Sequence, residues 1–134
     1  MIDSTHFSDH VGLTGEGMGG AMRIQHTGNQ HTITLKQCNF VNNSAQQGGG
    51  VSAHVYSTLT IQDCTFVDNV ADGKGGGLSL VVESQGQATV QHGNWTHNKA
   101  CVGGGGVYVA AMAQSQVHLA DSVVVDNHAE SYGG

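Results

Sequence analysis

The chain contains no proline, and only four of its 134 residues are lysine or arginine. Without proline, the 21 glycines do not read as a Pro-rich disordered tract; they suit tight turns and close backbone approach. The shortage of cations, with a formal net charge of −6, excludes a nucleic-acid partner, because neutralising even about six phosphates takes more cations than the chain owns. It argues equally against an anionic membrane surface. Charged residues are only 10% and aromatics 5%, against roughly a quarter charged in ordinary domains. Ser, Thr, Asn, Gln and His must therefore carry the solvated surface, a composition common in extracellular β-solenoids. No apolar run approaches the ~18 residues of a membrane-spanning helix. The opening Met1-Ile2-Asp3-Ser4-Thr5-His6 has neither the basic nor the apolar region of a signal peptide.

What is present is one pattern written four times: an aromatic or Val, Asn three residues on, Ala two later, then glycines. The copies are Phe40…Asn43…Ala45 before Gly48-Gly49-Gly50, Phe66…Asn69…Ala71 before Gly75-Gly76-Gly77, Trp95…Asn98…Ala100 before Gly104-Gly105-Gly106, and Val124…Asn127…Ala129 before Gly133-Gly134. The Asn-to-Asn steps are 26, 29 and 29 residues. A degraded copy opens the chain at Phe7-Ser8-Asp9-His10, with glycines at Gly19-Gly20. Periods of this size signal a solenoid.

Aligned on their glycines, the copies continue Met22-Arg23-Ile24, Val51-Ser52-Ala53, Leu78-Ser79-Leu80 and Val107-Tyr108-Val109. Apolar, polar, apolar is the signature of a half-buried strand. A polar bend follows (Thr27-Gly28-Asn29-Gln30 in one copy), then a second alternating run at Ile33/Leu35, Leu59/Ile61, Ala88/Val90 and Val117/Leu119. Three residues further comes a small residue, Cys38, Cys64, Gly93 or Ser122. Each period thus holds two or three short strands and no helix. An antiparallel meander would need turn chemistry every ~8–12 residues and edge protection by Pro or Lys. A coil returning to the same corner instead stacks like residues about 4.8 Å apart. The reading is all-β: a right-handed single-stranded parallel β-helix of about four to five coils, with residues 1–134 a single solenoid segment. Asn43, Asn69, Asn98 and Asn127 then form an inward ladder whose amides bond the next coil. The neighbouring Ala column leaves room for a methyl only.

Gly19-Gly20-Ala21-Met22 and Phe40-Val41-Asn42-Asn43 resemble the GGA[ILV] and FxxN repeats of chlamydial polymorphic outer membrane proteins, over residues 2 to 134. The resemblance implies a secreted or surface-exposed passenger segment, often in adhesion. This chain lacks that family's barrel, signal and aperiodic cap, so it reads as a slice of such a longer repeat protein or as a member of the wider β-helix group with another role.

Chemistry could reside in two outward columns: Asp9, Asn42, Asp68, His97, Asp126 and Gln37, Asp63, His92, Asp121. Asp63, Asp68, Asp121 and Asp126 are the acids on which an oxygen-seeking Ca²⁺ would draw, or which a glycosidase would pair. Acids alternate with amide or imidazole along each column, however, so no two carboxylates of one column stack directly. The one arginine, Arg23, lies in the first coil, away from any such cluster, and the His92-Gly93 dipeptide has no Asp-Asp partner. Neither a catalytic site, a metal nor a cofactor is expected, and the nine histidines contain no HExxH or His-x-His pair. Cys38 and Cys64 share a column, at a separation that allows a disulfide. Asn42-Asn43-Ser44 and Asn94-Trp95-Thr96 are sequons, so Asn42 and Asn94 are glycosylation acceptors if the protein is secreted where that machinery exists.

The sequence therefore predicts a non-catalytic structural or adhesion-type β-solenoid segment, extracellular or at the cell surface. The alternative is part of a carbohydrate-active β-helix enzyme, a polysaccharide lyase or hydrolase. Expected partners are adjacent repeats or end-to-end copies, and a glycan or host cell-surface protein.

Overall fold

The computed structural model describes residues 1–12, 17–26 and 31–131. The bend at 27–30 and the final glycines Gly133-Gly134 lie outside them. The first coil gives β1 (Ile2–Asp3) and β2 (His6–Ser8), and the next gives β3 (Met22–His26), β4 (Thr32–Lys36), β5 (Asn39–Val41) and β6 (Ser44–Ala45). The third gives β7 (Val51–Val55), β8 (Thr58–Gln62), β9 (Thr65–Val67) and β10 (Val70–Ala71). Then come β11 (Leu78–Val82), β12 (Gln87–Gln91), β13 (Asn94–Thr96) and β14 (Lys99–Ala100), and finally β15 (Val107–Ala111), β16 (Gln116–Ala120), β17 (Val123–Val125) and β18 (His128–Ala129).

These strands stack into four sheets, β1-β4-β8-β12-β16, β2-β5-β9-β13-β17, β3-β7-β11-β15 and β6-β10-β14-β18. Every pairing is parallel, and the chain is an all-β parallel solenoid of about four turns. The register follows the repeat: Met22↔Val51, Val51↔Leu78 and Leu78↔Val107 on one sheet, Phe40↔Phe66 and Phe66↔Trp95 on another. A full coil holds four strands rather than two or three. The extra one is a two-residue strand such as β10, too short to show any alternation.

Period-2 alternation sends one apolar side chain of each pair inward. Leu59, Ile61, Leu78, Leu80, Val82, Phe40, Phe66 and Trp95 are fully buried. Phe7, Phe40, Phe66 and Trp95 stack in one file, with centroids 5.0, 4.9 and 5.1 Å apart, inside the range for offset aromatic pairs. The glycine run makes a corner where backbones nearly touch. A Cβ on Gly76 would sit 2.2 Å from the Gly105 carbonyl oxygen and 2.3 Å from that of Lys99, while Gly75 has φ +68°.

Two further corners need left-handed backbone without glycine. Gln37, Asp63, His92 and Asp121 have φ of 52°, 54°, 51° and 49°, and Asn42, Asp68, His97 and Asp126 have 54°, 55°, 56° and 53°. Asn, Asp and His tolerate this region best among residues with a side chain. Asp68→Val should therefore cost about 1–2 kcal/mol and Asp68→Gly much less; urea unfolding midpoints of the two variants check this.

The last coil presents columns that are covered elsewhere: Leu119 is 46% and Val124 48% exposed, against 1% for Val90 and 0% for Trp95 one coil earlier.

Candidate binding surface

The four ladder asparagines are held by the corner that follows the aromatic file. Asn43, Asn69 and Asn98 are fully buried. Asn69 Nδ2 donates to the Phe40 carbonyl (2.9 Å) and to Asn98 Oδ1 (2.9 Å), while its own Oδ1 accepts from the Asn43 backbone N–H and Nδ2, each at 3.0 Å. Asn98 repeats the set on Phe66 and Asn127. Asn127 is half-buried, and His10 takes the ladder position in the first coil, its backbone N–H donating to Asn43 Oδ1 at 3.0 Å. With every amide committed to the frame, these residues have no group left for a ligand.

The two corner columns are exposed and carry matching triplets. His92 Nδ1 lies 3.1 Å from Asp63 and its Nε2 4.0 Å from Asp121; His97 lies 4.0 Å from Asp68 and 3.8 Å from Asp126. An imidazole thus separates the two acids of each column, so the carboxylates that a Ca²⁺ would use face a ring nitrogen instead. Being exposed, such pairs contribute little to stability. Among the described residues no group of three or more His, Cys, Asp or Glu is arranged to hold a metal ion, and no helix is long and apolar enough to cross a membrane.

Cys38 and Cys64 are buried free thiols; the sterically allowed disulfide is not formed. Each instead points back at a main-chain carbonyl, Cys38 at Lys36 (3.2 Å) and Cys64 at Gln62 (3.3 Å). Burial pushes the Cys64 thiol from 9.0 up to about 11, with backbone hydrogen bonding pulling the other way. Cys101 is partly exposed and also raised, by loss of solvent and then by the carboxylates of Glu130 and Asp72. Access therefore orders reactivity. A thiol reagent should count one fast thiol in the folded protein and three after unfolding. Because the folded Cys64 holds its proton beyond the unfolded value, its contribution to stability is intact below pH 9 and is lost as pH rises through about 11.

Asn42 and Asn94 are both exposed. Asn42 Nδ2 donates to Asp9 at 2.7 Å, and Asn94 Oδ1 accepts the Thr96 hydroxyl at 2.9 Å.

The outer face of β3-β7-β11-β15 carries a concavity. Small side chains, Ser52 and Ser79 in one column and Ala110 in the next, form the floor of a groove of about 300 Å³. One wall is the column Met18, Gln47 and Lys74, set by bridges just before the glycine run. Lys74 Nζ donates to the Tyr108 hydroxyl at 3.0 Å and lies 4.5 Å from that ring's centroid. The other wall holds His54, whose Nε2 is 2.6 Å from Glu83 and whose ring stacks on Tyr56 at 5.4 Å. Sequence reading missed this groove because its residues come from columns that each look like ordinary solvated strand positions. The available signal was the fall to serine at 52 and 79 between longer neighbours.

Against known proteins, the Chlamydia polymorphic membrane protein repeat matches residues 63–80, a stretch holding the two left-handed corners at Asp63 and Asp68, Asn69 and a glycine run. No curated protein and no solved structure matches the chain. The chain is a parallel β-helix whose repeats resemble those of the Chlamydia polymorphic membrane proteins.

Proposed function

We propose that the chain is a non-catalytic scaffold, extracellular or displayed at the cell surface, that serves adhesion by presenting one sheet face to a glycan or a cell-surface protein. The observation that carries this reading is the division of labour within each coil. Inward columns stay apolar from coil to coil, whereas the outward columns over β7, β11 and β15 vary in chemistry: Ser52, Ser79, Tyr108 in one and His54, Val81, Ala110 in the other. A rigid frame with a varied face suits recognition. The corner acids, each facing an imidazole, supply no adjacent carboxylate pair for glycoside hydrolysis. On the same reading, the apolar edge of the last coil takes a further coil as its partner, from an adjacent repeat or an end-to-end copy.

The test is saturable binding of the purified chain to a glycan panel and to intact cells, with a parallel assay for new reducing ends or unsaturated products on acidic and neutral polysaccharides. Binding without product is the expected result. Product release overturns this reading in favour of the carbohydrate-active enzyme.

A further inference from the structure

We propose that the groove over β7, β11 and β15 binds a carboxylate-bearing sugar residue, with Lys74 taking the carboxylate and the floor serines taking ring hydroxyls. This rests on the adhesion reading and names its ligand class. Ser52 and Ser79 are 8% and 5% exposed, paired in register, and both line the groove. Neither hydroxyl bonds another group among the described residues. Two hydroxyls that reach the groove from otherwise buried residues, with unspent hydrogen-bonding capacity and one strand spacing apart (about 4.8 Å), fit neighbouring hydroxyls of a sugar.

Lys74 adds the charge. Its ammonium has three donors, of which Tyr108 takes one, and it forms no ion pair among the described residues. In a chain with ten acids and four Lys and Arg, a cation left without an ion pair in this groove selects an anionic group. Across the floor, the His54–Glu83 pair offers both a donor and an acceptor to further hydroxyls. Met18, Val81 and Met112 supply apolar contact for the C–H face of a ring. The volume, about 300 Å³, is at the lower end for small-ligand sites and suits one or two rings.

A sugar fits better than a peptide strand. Peptides that add to sheets use an open edge, whereas β7 and β11, which carry the floor serines, lie inside the sheet with their main-chain groups spent on the neighbouring coils. The face offers side-chain hydroxyls, an imidazole–carboxylate pair and an ammonium, the groups that recognise a polyhydroxylated anion.

The experiment is a titration of the labelled chain, followed by amide NMR shifts, with sodium glucuronate and separately with methyl glucoside. Glucuronate should shift Ser52, Ser79, Lys74 and Tyr108 saturably, and methyl glucoside should bind about tenfold more weakly. Lys74→Met keeps the unbranched stem; it should erase that preference while leaving the melting temperature unchanged. The Ser52→Ala/Ser79→Ala double variant should weaken both sugars. Absence of saturable shifts in the groove, a preference that survives Lys74→Met, or tighter binding of an acidic dipeptide amide than of glucuronate would each overturn the proposal. Cell binding that persists in Lys74→Met would remove this site and leave the adhesion reading standing. Glucuronate binding without any cell or glycan-panel binding would do the reverse.

Discussion

Gly93→Cys should destabilise the protein by about 3 kcal/mol or more, and the same change should be nearly harmless once Trp95 is Phe. Position 93 belongs to the column of Cys38 and Cys64, and position 95 to the aromatic file of Phe40 and Phe66. Where the file holds Phe, the small column holds Cys. Where it holds Trp, the larger ring reaches over the neighbouring Cα: a Cβ on Gly93 would lie 2.1 Å from both Cη2 and Cζ3 of Trp95. The indole cannot move aside, being fully buried and stacked on Phe66 with an interplanar angle of 6°. Its Nε1 has no hydrogen-bond partner among the described residues. Trp95→Phe therefore loses apolar area but removes an orphaned donor, whose burial costs about 1–3 kcal/mol, so the single change should be close to neutral. Chemical denaturation of the two single variants and the double variant measures the coupling, expected above about 2 kcal/mol. Independent, additive effects would contradict this packing.

Asn69→Leu should cost about 3 kcal/mol. The leucine would strand the Asn43 N–H and one Nδ2 proton, the other still reaching the Phe7 carbonyl, and would take a donor from the Phe40 carbonyl. It would also lose the side-chain bond to Asn98 Oδ1, leaving only the main-chain N–H of residue 69 to donate there. Asn127→Leu should cost distinctly less, because Asn127 is half-buried and its neighbours can turn to water. Unfolding midpoints of the two variants, compared at equal slope, check this gradient. Equal penalties would mean that the ladder is not the cooperative element described here.

Much of the frame is legible in the sequence because each column repeats one physical demand. Phe40, Phe66 and Trp95 ask for a large flat group, Asn43, Asn69 and Asn98 for a side chain that both donates and accepts, and the residue after Gly48, Gly75 and Gly104 for no Cβ at all. The corner columns were visible but their cause was not. Asp63, His92, Asp121 and Asp68, His97, Asp126 look like ligand sets, yet what unites them with Gln37 and Asn42 is left-handed backbone. Four strands per coil could not be read because a two-residue strand such as Val70–Ala71 has no period. The groove was hidden for a different reason: concavity depends on differences between neighbouring columns, Ser79 beside Lys74 and Tyr108 beside Ala110, and a repeat alignment records likeness within a column.

The central claim is that residues one period apart lie directly over one another, and the side-chain amides of the ladder report on it most directly. Nuclear Overhauser contacts among these amides should run in the order Asn43–Asn69, Asn69–Asn98, Asn98–Asn127, with the Asn69 and Asn98 amide protons exchanging far more slowly than that of Asn127. Asn69 or Asn98 amide protons that exchange as fast as exposed ones, or that contact antiparallel neighbours within one repeat instead of the next Asn, would contradict the solenoid and every site placed upon it.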